Sequence, residues 1–376
     1  MHLQFTTARE VAGAWGHVPS DTERMEAYTD FLGVGATVEQ TLASTTVETH
    51  GLRPRSFRRS GAVPFYVVPK SVVQDLTRKN PLPAEFLSKY LEHRPGILDD
   101  DQCDIFCQNT RSEQQVWKDF SLFEQVQHVE PGVLVVFPTY LELFHSNGQR
   151  DNIEACIRYV IDKYPDNPVS FQWNHDDDAA SMPFLNKLPA NVFVLNFNTS
   201  NETRNDILLP FWAIQTNVPP TEKRFKAGFI GYIGGVSCRR ALKRTVYGRD
   251  GYFVHDTTHA AKMLTDLYQR TLGSFKFSLC PRGGGLSSYR FYESIQCGSI
   301  PVLFSDGAVL PYSDIGWEDF SVRLPEAACT SFGVIDNCLS MMNAIPMTKR
   351  LMEVRERFSL LGVQQEIYRR VKEWLA

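Results

Sequence analysis

Two spacings of apolar residues alternate along most of this chain, and the alternation predicts its architecture. Val63–Pro69 reads as a first strand and Ala84–Leu91 as a short helix. A helical stretch at Glu113–Val126 precedes the strand Val133–Phe137. Apolar residues then recur at helical spacing over Ile153–Tyr164, alternate at Val169, Phe171 and Trp173, and run together again over Asn191–Phe197. The prolines of Asn217-Val218-Pro219-Pro220 mark a linker. A second series follows: strands at Phe225–Tyr232, Gly251–His255, Phe275–Cys280 and Ile300–Phe304, with helices at Ser237–Val246, Ala261–Leu272 and Ser288–Cys297 between them. Apolar strands alternating with helices indicate parallel sheets covered on both faces. The expectation is an α/β protein of two Rossmann-like halves with a cleft between them, over residues 61–218 and 219–350. Residues 351–376 form an amphipathic helix with apolar positions at Leu351, Val354, Phe358, Leu361, Ile367, Val371 and Trp374, interrupted at Gly362. Residues 1–60 are polar and irregular, an N-terminal extension without a motif.

Composition narrows the function more than the fold. With 43% apolar and 22% charged residues, the 376-residue chain is an ordinary globular one. A net charge of -4 gives no basic field to hold nucleic acid. Arg53, Arg55, Arg58 and Arg59 are a local exception, open to phosphates, to an acidic surface or simply to solvent. No stretch reaches the ~18 apolar residues of a membrane span, and Met1–Thr6 lacks the apolar run of a signal peptide. A soluble, cytoplasmic protein is therefore expected. Of the eight cysteines, Cys103 and Cys107 are close together, at a spacing unlike the CxxC of zinc sites. Cys280 and Cys297, inside apolar segments, read as buried free thiols.

The most informative stretch, Phe275–Glu293, reads strand, glycine loop, helix. Gly283, Gly284 and Gly285 let the backbone approach a ligand, and the following helix aims its free N–H groups and positive dipole end at the loop. This outlines a phosphate site. Ser287 or Ser288 can cap the helix or donate a hydroxyl, and Arg290 offers a bidentate fork to a diphosphate. Glu293, three residues on, shares that side of the helix and suits ribose hydroxyls. The alternative is a plain tight turn with an Arg290–Glu293 surface ion pair, since the loop lacks both the Walker lysine and the dinucleotide spacing. Beyond it, Gln296–Asp306 is a helix end, a glycine cap and a buried strand, closed by Asp306 at the strand edge where α/β sheets bind ligands.

An ordered series of residues runs through this region. It comprises Cys280-Pro281, Gly283, Ser288, Arg290, Glu293, Gly298, Ile300-Pro301-Val302, Ser305-Asp306, Leu310-Pro311-Tyr312 and Trp317 with Phe320-Ser321-Val322. It resembles the C-terminal pattern of the exostosin family of glycosyltransferases. Weaker matches lie upstream at Arg224, Phe229, Gly231, Arg239, Leu242, Asn205–Pro210 and His175-Asp176. The resemblance implies a GT-B-like fold, in which the C-terminal half holds a nucleotide sugar and a C-terminal helix crosses back to the first half. It also implies hexosyl or pentosyl transfer with inversion, from a UDP-sugar to a hydroxyl of a glycan acceptor.

Inversion needs a base for the acceptor proton and a group to stabilise the departing diphosphate. Arg290, the Ser287/Ser288 loop and the helix N-terminus suit the second task. Arg239 could add a second positive charge, or lie on the surface beside Arg240, and Arg282 sits in the loop itself. For the base, His175 or Asp176, after a strand, are the candidates, with Glu142 and His145 as weaker ones. The acids there could equally cap the next helix. The family's glycine-rich segment before His175 is replaced here by Pro165-Asp166-Asn167-Pro168. Asp176-x-Asp178 and Asp99-x-Asp101 match the DxD pattern of manganese sites, but each is part of a plain acidic triplet. Because arginines and the helix end already neutralise the diphosphate, no metal or other cofactor is expected. Two other readings stand beside transfer: a catalytically inactive, glycan-binding or partner subunit, and a dehydrogenase, which the absence of GxGxxG in the first half disfavours.

Overall fold

In the computed structural model, residues 62–81, 122–137, 148–173, 188–196, 206–210, 221–258, 265–283 and 285–375 are described. They build two parallel sheets. The first contains β1 (Val63–Val67), β2 (Phe123–Gln125), β3 (Leu134–Val136), β4 (Val169–Trp173), β5 (Val192–Asn196) and β6 (Asp206–Leu208). Their order is β2-β1-β3-β4-β5-β6. The second contains β7 (Phe225–Gly231), β8 (Tyr252–Asp256), β9 (Phe275–Pro281), β10 (Ile300–Phe304) and β11 (Val322–Leu324), in the order β11-β10-β9-β7-β8. The described helices are α1 (Lys70–Leu76), α2 (Arg150–Lys163), α3 (Ser237–Val246), α4 (Thr265–Gly273), α5 (Tyr289–Gln296), α6 (Phe332–Met341), α7 (Ala344–Val354) and α8 (Leu360–Leu375).

Why the strands read as unbroken apolar runs is visible in their packing. In β5, Phe193 and Leu195 enter one apolar cluster and Val192 and Val194 another, so both faces of the sheet are covered. One face packs on α1 and α2 through Val73, Ile153, Cys156, Ile157 and Val160. The other belongs to a cluster that continues into the second sheet and takes in Val363, Ile367 and Val371 of α8. Tyr368 meets Phe123 of β2 edge-on at 6.1 Å, and Trp374 Nε1 donates to Ala190 O at 3.2 Å. The two Rossmann-like sheets and the returning helix of a GT-B-like fold are therefore present.

Two expectations are corrected. Phe123–Gln125, read as the end of a helix, pairs in parallel with Val63–Phe65 as an edge strand. Tertiary pairing and burial of Phe123 override a weak local preference there. The C-terminal helix does not break at Gly362. The interruption is the 3-10 turn Arg355–Phe358 followed by Ser359, whose hydroxyl accepts the Gly362 N–H at 3.1 Å as a helix cap. Gly362 lies inside α8, where a Cβ would stand 2.4 Å from Glu356 O and 2.6 Å from Arg357 Cα, so only glycine permits the tight turn. The short strands β6 and β11 were not expected from the alternation.

Both sheets share one plan: the first strand lies inside, the second pairs on its outer side, and the third on its inner side. The chain thus reverses its direction of growth between β7 and β9. In open α/β sheets, the carboxyl ends of the strands at such a switch form the binding crevice. Here those ends are Gly231 and Pro281.

Candidate functional site

The residues singled out on the glycine loop converge on this switch point. Gly231 ends β7, and a Cβ there would stand 2.3 Å from Arg290 Nη2. The missing side chain is the space the guanidinium occupies. The Arg290 guanidinium lies over the Phe229 ring at 4.8 Å, and its Nε is buried without a hydrogen-bond partner. Arg239, on α3, donates from Nε to Arg282 O and from Nη1 to Tyr232 O, each at 2.9 Å. It is turned inward, unlike its exposed neighbour Arg240. Burial, then the nearby Arg290 charge, pull the Arg239 pKa down to about 10. No salt bridge among the described residues engages either Arg239 or Arg290.

Arg282 differs. Its Nε pairs with Glu326 Oε1 at 2.7 Å. Asp306 accepts the Glu326 N–H at 3.1 Å and so holds the turn that carries this carboxylate. The loop itself is closed by Gly283 N donating to Ser287 O at 2.9 Å. Ser287 and Ser288 are both buried; Ser288 occupies the N-cap position of α5, but its side chain makes no cap hydrogen bond. Glu293 forms no ion pair with Arg290. Its Oε2 instead accepts a hydrogen bond from the Tyr268 hydroxyl of α4. His175, Asp176 and Gly284 lie outside the described residues, as do Glu142, His145, both acidic triplets and the Arg53–Arg59 cluster.

The later residues of the series serve α5 from behind. Trp317 lies 5.5 Å from Phe291, 5.1 Å from Phe320 and 5.2 Å from Phe358, ring centre to ring centre. Its Nε1 donates to Pro311 O at 2.8 Å. Tyr312, with φ +58°, donates its hydroxyl to Arg357 O at 3.1 Å. These contacts fix the helix that presents Arg290 and Glu293.

Sequence reasoning missed the residues that support the loop after β7. Thr258 Oγ1 accepts from Ile233 N at 3.1 Å and Gly234 N at 3.4 Å. Thr258 N in turn donates to Asp256 Oδ1, and Asp256 is paired with Lys243 at 2.7 Å. Tyr268 was missed too, because it lies on another helix, 25 residues before Glu293. Cys280 is buried and Cys297 half-buried; both are free thiols, and burial pushes Cys297 up to about 12. Among the described residues, no three His, Cys, Asp or Glu groups cluster as a metal site requires, and no helix is long and apolar enough to cross a membrane.

Residues 169–339 match the Exostosin GT47 domain, the family that the residues of 275–322 resemble. A "Probable glycosyltransferase" of Arabidopsis thaliana is 26% identical over 56% of this chain and 44% of its own length. Exostosin-1 of Drosophila melanogaster is 33% identical over 30% of this chain and 18% of its own length. The chain thus aligns with less than half of each of these relatives. Among solved structures, TarM aligns over 70% of this chain and 59% of its own, at 11% identity and a TM-score of 0.39. At that score the fold rests on the chain's own sheet topology.

Proposed function

We propose that this chain is an inverting glycosyltransferase that moves a sugar from a nucleoside-diphosphate sugar, with uracil as the base, to a hydroxyl of a glycan acceptor. One observation carries the reading. Two guanidiniums are drawn to the carboxyl ends of β7 and β9, Arg239 donating to Tyr232 O and Arg282 O and Arg290 filling the space left at Gly231, with no salt bridge to a described carboxylate. Such an arrangement at a switch point calls for an anion from outside the fold. A diphosphate meets that demand, and the charge developing on it as the glycosidic bond breaks makes the same contacts stronger in the transition state. Arg290 takes the diphosphate, with Arg239 behind it and the α5 N-terminus alongside. Glu293 takes a ribose hydroxyl. His175 or Asp176 supplies the base that removes the acceptor proton, and no metal is needed because the arginines provide the positive charge. The family match over residues 169–339 supports transfer over an inactive binding subunit.

The test is a panel of nucleotide sugars assayed for thermal protection and for consumption, with and without EDTA. A UDP-sugar is expected to raise Tm and be consumed equally in both conditions. Arg290→Ala should lower kcat/KM about a hundredfold, the scale of losing a charge-assisted contact to a developing anion. Unchanged turnover in Arg290→Ala and Glu293→Ala would remove the site assignment.

A further inference from the structure

Tyr268 belongs to no motif, yet it makes the one hydrogen bond that a described side chain gives to the Glu293 carboxylate. The two groups come from different helices, α4 and α5, which flank β9 in the chain. Tyr268 is half-buried, while its neighbour Leu267 is buried in the core, so α4 is anchored and its tyrosine reaches toward the site. Burial, and then the Glu293 charge, hold the phenol well above its ordinary titration range, so it is a donor at neutral pH. A carboxylate has two oxygens and about four acceptor positions. Here Oε2 is engaged by Tyr268, and Oε1 has no hydrogen bond from a described residue. Because the bond holds one oxygen in place, the other keeps a fixed direction from a half-buried position beside Arg290.

We infer that Tyr268 is a positioning residue: by engaging Oε2 it presents Oε1 as a single oriented acceptor for one ribose hydroxyl, and so gives the site its preference for ribonucleotides over 2′-deoxyribonucleotides. This rests on the donor site proposed above and adds the sugar discrimination that Arg290 cannot supply, since a guanidinium reads only the diphosphate. Without the tyrosine hydroxyl, the carboxylate turns to solvent and stops distinguishing the two riboses.

The experiment measures binding of UDP, 2′-deoxy-UDP and inorganic pyrophosphate to the full chain and to Tyr268→Phe by calorimetry. The unsubstituted protein should prefer UDP over 2′-deoxy-UDP roughly tenfold, the worth of one hydrogen bond to a charged group. In Tyr268→Phe that ratio should fall to about twofold or less while pyrophosphate affinity stays unchanged, because a lost orienting contact leaves the diphosphate contacts intact. With a UDP-sugar, KM should rise and kcat stay close to its original value. Tyr268→Met, also without a hydroxyl, serves if the phenylalanine variant does not fold. A ribose ratio that survives both substitutions, or one near unity in the unsubstituted protein, overturns the role of Tyr268 and leaves the donor site standing. Failure of the unsubstituted protein to bind either UDP or pyrophosphate overturns the donor site itself, and this inference with it.

Discussion

The two ends of β7 handle positive charge in opposite ways. At the N-terminal end, Lys226 is neutralised inside the fold: Nζ pairs with Asp336 and donates to Ser340 Oγ at 2.7 Å. Asp336 also accepts from the Tyr252 hydroxyl at 2.8 Å. Nearby, Lys223 Nζ joins the ends of two helices by donating to Gly273 O at 2.8 Å and Gly298 O at 2.7 Å. At the C-terminal end, Arg290 sits in the space left by Gly231 and, among the described residues, Arg239 donates only to carbonyls. At the lower end the cations meet a carboxylate and carbonyls of the fold; at the upper end no salt bridge among the described residues engages Arg239 or Arg290. A strand is the same backbone throughout; the identity of one residue, glycine, admits the cation at the top.

The sharpest way to break this contrast is to give the upper end a side chain. In Gly231→Ala the new Cβ meets the far end of a flexible side chain, so the guanidinium is displaced while the core is not. UDP affinity and kcat/KM should fall about tenfold to a hundredfold, the range of a charge-assisted contact. The left-handed φ of +155° adds a local strain of about 1 kcal/mol, visible as a Tm lower by a few degrees. Combined with Arg290→Ala, the substitution should cost almost nothing further in affinity, since both act through one group. Additive losses in the double variant would show that Gly231 does something other than make room.

Arg282 sharpens the contrast from the rim. Its pair with Glu326 is three-quarters buried, with side chains 25% and 21% exposed. Arg282→Ala strands that carboxylate and should cost roughly 1–2 kcal/mol of stability, with less than a tenfold change in UDP affinity. Thermal melts and calorimetry on the same preparation separate the two effects. A loss of affinity as large as that of Arg290→Ala, with Tm unchanged, would place Arg282 on the ligand instead.

Much of this was legible in the sequence, for identifiable reasons. β5 and β10 are apolar at nearly every position, and β4 and β9 carry apolar residues at least at alternate positions, which is why all four could be read to within a residue or so of their ends. Edge strands carry no such signal: Phe123–Gln125 has one buried residue in three and passes for helix. The glycine loop, Arg290 and Glu293 were visible because strand, loop and helix are contiguous there. Gly231 and Tyr268 act on the same two side chains from distances of tens of residues, where spacing along the chain says nothing about contact. The roles of Trp317 and Tyr312 were also hidden. A series of ordered residues marks a region, and only packing shows that its aromatic members brace a helix.

The lower end offers the smallest and most specific test. The hydrogen bond from Lys226, and then that from Tyr252, hold the Asp336 carboxyl below its ordinary value of 3.8. A depressed carboxyl contributes stability that is present above the unfolded pKa and is lost as pH falls through the folded one. The side chains are about a third exposed, so solvent screening keeps the contribution to ~0.5 kcal/mol. Asp336→Asn should therefore lower Tm by a degree or two at pH 7, and the difference from the unsubstituted protein should shrink as pH falls below 3.8 and vanish once the folded carboxyl is protonated. UDP affinity at pH 7 should not change, because the substituted pair lies at the far end of the strand from Arg290. A Tm difference that persists undiminished into acid would mean that Asp336 holds β7 to α6 by shape and hydrogen bonding alone. A loss of UDP affinity would mean that the two ends of the strand are coupled, and that the lower charges tune the upper ones.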